Sequence, residues 1–165
     1  MWYKRAMEVH CMKKTILIII SIIVVILIAG AIWCYDNSKI IEKPLDSVVQ
    51  IAKNKDGDSI TGFPYAYTLE KTDTEIKLTL YMAEEAVKSI HTFKITDGII
   101  KDTYFEKHYM TKLAAKLDGN VIVNKKVKGN IVSGQLESSL EAIGRNADEY
   151  YEELKNAYSH LEYLK

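Results

Sequence analysis

Residues 13–36 read KKTILIIISIIVVILIAGAIWCYD. From Thr15 to Tyr35 the stretch carries no charge, and its 21 residues would make a helix of roughly 31 Å at 1.5 Å per residue. A bilayer's hydrocarbon core is about 30 Å thick, so the length matches one crossing. Thirteen of these positions are Ile, Leu or Val, and at roughly −0.3 to −0.6 kcal/mol each they favour insertion by several kcal/mol. Ser21 can return its hydroxyl to a carbonyl one turn back, so it does not forbid the helix. Richness in β-branched residues would suggest a strand in a shorter run, but strands rarely exceed about ten residues. A buried helix of a soluble protein would show a polar face, and this run has none.

The flanks support a retained span. Trp33 and Tyr35 stand where an aromatic belt would anchor the exit end, and Lys13 and Lys14 mark the other interface. Lys4, Arg5, Lys13 and Lys14 precede the run, whereas Asp36 follows it and Lys39 and Lys43 mix with Glu42 and Asp46. That asymmetry predicts residues 1–14 in the cytoplasm and the C-terminal part outside. Ala29-Gly30-Ala31 is a small-residue site at which a signal peptidase could cut after Ala31, and continued hydrophobicity through Ile32 and Trp33 argues against cleavage. Cys34 invites a lipid-anchor reading, but the bulky Ile32 and Trp33 before it fit that chemistry poorly. A start at Met12 would give Met-Lys-Lys and then the apolar run, so residues 1–11 read as a misassigned upstream start.

Of the chain's 165 residues, those beyond the run are enough for one compact domain. Lys plus Arg and Asp plus Glu number 22 each, so no global field favours nucleic acid. Cys11 and Cys34 are the two cysteines, which leaves the domain without a disulfide or a cysteine-based zinc site.

Residues 36–64 read as a tether and entry segment, with a short amphipathic helix from about Leu45 to Lys53 that turns Val48, Val49 and Ala52 inward. After Pro64 the period becomes two. Tyr65, Tyr67 and Leu69 alternate with Ala66, Thr68 and Glu70, and Ile76, Leu78, Leu80 and Met82 with Lys77, Thr79 and Tyr81, giving two strands joined near Thr72-Asp73. A strand over Val87–Thr96 leads through Asp97-Gly98 into Ile99–Glu106, a hairpin whose turn residues both tolerate positive φ. A helix around HYMTKLAAKLD ends at Gly119, and Val121–Val123 with Val127–Val132 form a further strand pair with Gly129 at a bulge.

Leu136, Leu140, Ile143, Ala147, Tyr150, Leu154, Ala157, Leu161 and Leu164 repeat at spacings of four and three. That stripe predicts one long helix of roughly 40 Å, acidic outside, with Gly144 as a bend. Tyr150 and Ala157 make a poor dimer seam, so the stripe is expected to cover the sheet.

The chemical motifs are weak. NKDGDS at 54–59 spaces Asn54 and Asp56 like calcium ligands, but Ala52 and Phe63 stand where the loop needs its anionic ends. His10, His91, His108 and His160 are scattered; His91 and His108 could converge, yet no HxH or HxxxH pair occurs. Ser133 lacks the glycines of a nucleophile elbow. Seven lysines and three acids lie between Lys101 and Lys128, a basic stretch that could match the acidic C-terminal helix.

The sequence therefore predicts an α+β protein. One N-terminal transmembrane helix (15–35) precedes an extracytoplasmic domain (65–165), a small antiparallel sheet of four to six strands covered by a long C-terminal helix. The expected function is a non-enzymatic binding or interaction module with no catalytic, cofactor or metal residues. Its partners would be membrane lipid through residues 15–35 and a protein outside the membrane, with no nucleic acid. A secreted domain released after Ala31 and an accessory subunit of a membrane complex are the alternatives.

Overall fold

A computed structural model of the chain describes residues 2–120 and 122–164, with side chains from Ile16 onward. The side chains before Ile16, on which the start at Met12 and the charges at Lys13 and Lys14 fall, lie outside the described residues, as does Val121. The chain forms two compact units, Met1–Asn37 and Ser38–Lys165.

The first unit is helix α1, Trp2–Asn37. Its segment Ile16–Asn37 has a mean hydropathy of 3.2 with its apolar stretch left uncovered by protein, long and apolar enough to cross a membrane or to serve as a signal sequence. Ser21 Oγ donates to Leu17 O at 2.9 Å, one turn back, so the polar group interrupting the run is satisfied within the helix.

The second unit is an α+β domain on one mixed seven-stranded sheet of order β5-β6-β4-β3-β2-β1-β7. The strands are β1 (Ala66–Lys71), β2 (Glu75–Tyr81), β3 (Ala86–Thr96), β4 (Ile99–Tyr109), β5 (Ile122–Lys128), β6 (Ile131–Leu136) and β7 (Glu162–Tyr163). All neighbours pair antiparallel except β7, which runs parallel to β1. Asp97 and Gly98 take φ of +52° and +72°, the paired positive values that a two-residue hairpin needs to follow strand twist. Register then decides the faces. Leu69 lies opposite Leu78, which lies opposite His91, which lies opposite Phe105, and these share the buried face with Tyr67, Ile76, Leu80, Phe93 and Val132.

Three helical covers close this sheet. Helix α2 (Asp46–Asp56) buries Val48 and Ala52 against Tyr65 and Ala66. Ala66 pairs with Tyr81, one step out of phase with Tyr67 and Leu80, so α2 covers a corner of the opposite face. The short helix α3 (Lys112–Lys116), capped by Thr111 Oγ1 on Ala114 N at 3.0 Å, adds Ala115 to a cluster with Phe105, Tyr109, Ile122 and Val132. Helix α5 (Ala147–Ala157) lays Ala147, Tyr150, Tyr151 and Leu154 over Ile76, Leu78, Phe93 and Ile100.

Two expectations are corrected here. The sheet has seven strands, one of them parallel, rather than four to six antiparallel ones. The long C-terminal helix is instead the end of β6, a single turn α4 (Glu137–Leu140), the eleven-residue α5 and β7. The break has a backbone cause. Gly144 takes φ +89°, and its N–H donates to Ile100 O at 2.8 Å; Ile100 N donates to Arg145 O at 3.0 Å and Ala147 N to Gly98 O at 2.9 Å. A continuous helix would have kept those groups for itself. Asn146 then restarts the helix, its side-chain oxygen accepting from Asp148 N at 2.9 Å and Glu149 N at 3.2 Å. Gly129, expected at a bulge, has φ +64° in the β5–β6 turn, and the bulge falls between Val123 and Lys126.

The cap makes a direct prediction. Asn146→Ala removes an acceptor for two orphan N–H groups and should lower the unfolding free energy by about 1 kcal/mol. Asn146→Asp should cost far less, a contrast readable in urea titrations followed by circular dichroism.

Candidate functional site

His91 and His108, the pair that could have converged, stand on opposite faces of the sheet. His91 is opposite Phe105 on the buried face, rings 5.0 Å apart and edge-on, and burial pushes its pKa down to about 4. His108 is opposite Lys88 on the other face. Asp56, read as a calcium-loop position, accepts a hydrogen bond from Tyr65 OH, which also takes Thr61 N–H at 2.9 Å. Its carboxylate thus holds the turn after α2. Asp148, Glu153 and Glu152 of α5 pair with Lys71, Arg145 and Lys155 respectively, whereas β5, which carries Lys125, Lys126 and Lys128, is at the sheet edge opposite β7. The expected match between the basic stretch and the C-terminal helix gives way to nearer partners.

Two polar clusters occupy the face opposite the core. In the first, Glu42 from the entry segment reaches across strand ends. Ile41 N donates to Met110 O at 2.7 Å, and Glu42 accepts from Lys88 Nζ at 2.7 Å, His108 Nδ1 at 2.9 Å and Asn130 Nδ2 at 3.4 Å. Burial raises the Glu42 pKa, but the hydrogen bonds and charges of Lys88 and His108 outweigh it, and the net shift is downward. The carboxylate is fully engaged by the fold, so this cluster is a clasp for the entry segment.

The second cluster is a cleft of about 250 Å³ where β4 and β6 part company. Their ladder runs from His108–Ile131 to Phe105–Gly134 and stops. Beyond it β6 follows β5, with Gln135 opposite Val123 and Leu136 opposite Ile122. The Gln135 amide spans the gap, donating to Asp102 Oδ1 at 3.0 Å and Thr103 O at 3.2 Å. Thr103 N donates to the same carboxylate oxygen at 2.8 Å. On the far wall, the β5 bulge puts Asn124 at φ +55°. Gly134 permits the approach of the two strands. Its φ is +155°, and a Cβ there would stand 2.6 Å from Val123 O and closer still to the Ile122 side chain. No side chain fits that position without backbone movement.

Asp102, Tyr104, Asn124, Lys126, Ser133 and Gln135 line the cleft, and Tyr104 is 45 % exposed. In contrast to the clasp, the side chains of Asn124, Lys126 and Ser133 have no hydrogen-bond or ion-pair partner among the described residues. A larger groove of about 530 Å³ lies beside Lys55, Phe63 and His160, but Asp56, Thr61 and Tyr65 within it satisfy one another. The cleft is therefore the candidate site. Of this set, sequence reasoning weighed Ser133 as a nucleophile and set it aside for want of elbow glycines; its hydroxyl has no histidine or carboxylate hydrogen bond among the described residues. Gly134 interrupting a strand was the available signal. Comparison of the chain with family models, with curated proteins and with solved structures finds no match in any of the three.

Two measurements test these assignments. Gly134→Ala should cost roughly 2–4 kcal/mol in unfolding free energy, since it combines a disfavoured φ with overpacking against backbone. For His91, the folded pKa of about 4 lies below the unfolded value of 6.5, so the unfolded state takes up a proton first as pH falls. Stability associated with neutral His91 is complete above pH 6.5 and is lost progressively towards pH 4, by up to about 3 kcal/mol. His91→Leu should remove that dependence; parallel stability curves for the two proteins between pH 7 and 4 would refute it.

Proposed function

We propose that the chain is a single-pass membrane protein that displays a small non-enzymatic binding domain on the extracytoplasmic side. The observation that carries this reading is the pairing of an apolar helix, Ile16–Asn37, its apolar stretch uncovered by protein, with a compact second unit holding a polar cleft in which Asn124, Lys126 and Ser133 are unengaged among the described residues. An apolar surface of that length with no protein cover is stabilised by lipid. Lys13 and Lys14 before the span and Trp33, Tyr35 and Asp36 after it support an inward N-terminus. Binding rather than catalysis is favoured by the cleft's chemistry. Asp102 is already held by the Gln135 amide and its neighbour's N–H, and no activated nucleophile faces it among the described residues. Lipid around residues 15–35 and an extracytoplasmic ligand or protein are the partners this reading implies.

Retention and orientation are separately measurable. The protein should stay with the membrane pellet after alkaline carbonate extraction, with an intact mass that includes residues 15–35. Release into the supernatant, or a mass beginning at Ile32, would replace the anchor with a cleaved signal. With Cys11 and Cys34 changed to Ser, an Asp58→Cys variant should react with a membrane-impermeant maleimide on intact cells. Labelling only after permeabilisation would reverse the orientation.

A further inference from the structure

We propose that the cleft between β4 and the β5 bulge binds a neutral saccharide, with one sugar ring seated against Tyr104. The inference deepens the binding-domain reading and rests on it. The cleft is a built feature, because an unbroken β4–β6 ladder would have filled it. The fold instead ends that ladder at Phe105–Gly134, inserts a bulge with Asn124 at positive φ, and requires glycine at 134. β-Bulges recur beside binding sites because they re-aim side chains.

The lining defines the ligand's chemistry. Asn124 offers an amide donor and acceptor, Ser133 a hydroxyl that does both, Gln135 a spare carbonyl oxygen, and Lys126 a donor with no partner of its own among the described residues. This mixture suits groups that donate and accept at adjacent positions, as vicinal hydroxyls do. The charges of Asp102 and Lys126 offset each other, which favours a neutral ligand over a strong anion or cation. Tyr104 supplies a half-exposed ring whose hydroxyl donates to Glu106 Oε1 at 3.3 Å, restricting its motion. The C–H face of a sugar ring packs on such a surface while its hydroxyls reach the amides. A volume of about 250 Å³ is below the usual range for drug-sized ligands and suits a single ring of a longer chain.

The test uses the full chain in lipid nanodiscs, free of glycoside detergents. Maltotriose, cellotriose and N-acetylated chitotriose serve as neutral probes and trigalacturonic acid as an anionic one, each followed by saturation-transfer NMR. At least one neutral trisaccharide should bind with millimolar or tighter affinity, with saturation concentrated in one ring. Tyr104→Ala should weaken it at least tenfold and Ser133→Ala severalfold, with unchanged circular dichroism, since neither side chain is in the core. Binding indifferent to both variants would overturn the assignment. So would a preference for trigalacturonic acid that Lys126→Ala abolishes, or silence across the panel. Silence would leave the binding-domain reading standing, whereas trisaccharides returned shortened by mass spectrometry would overturn non-enzymatic binding and leave saccharide recognition intact.

Discussion

The pairing of β3 with β4 across Asp97-Gly98 sets the register on which both faces of the sheet depend. A slip of one residue would carry Phe93 and Ile95 to the polar side and bring Lys94 and Thr92 into the core. The two positive-φ residues leave the chain no other way to turn. The hairpin tip also positions a helix, because its backbone at Gly98 and Ile100 exchanges hydrogen bonds with Gly144–Ala147. That exchange places α5 over Ile76, Leu78 and Ile100, all essentially inaccessible to solvent. One tight turn thus determines what is buried and which segment buries it.

The other half of the sheet obeys a different constraint. Around Gly134 two backbones approach more closely than any Cβ permits, and that approach draws β6 towards β5 and away from the start of β4. Gln135 substitutes its side-chain amide for the missing ladder bonds. Core packing and cleft formation are therefore consequences of the same glycine: Ile122 and Val132 close the buried side, and Asn124, Lys126 and Ser133 ring the opening on the other.

Much of this was legible in the residues. Alternation marked β1 and β2, Asp97-Gly98 marked the β3–β4 hairpin, and Val48 and Ala52 marked the buried side of α2. The C-terminal helix misled because its four-and-three spacing continues through a β-strand end, a turn and a helix without losing phase. Gly144 followed by Asn146, with Asp148 and Glu149 in the next turn, was a stop and a restart written in order. β7, at two residues, is too short to show any period. The cleft was hidden for a different reason: its walls come from three strands, and the close approach at Gly134 that opens the gap between them leaves no trace in hydrophobic pattern. The apolar helix was the clearest text of all, since 21 uncharged positions need no tertiary context to be read.

The strand at the sheet's outer margin, β5, exposes nearly its whole length, with Lys125, Lys126 and Lys128 along it. A margin strand of seven residues with unpaired backbone groups is a template on which another strand could add itself. Lysines along such a margin oppose that addition, because two of these strands brought together would set ammonium against ammonium.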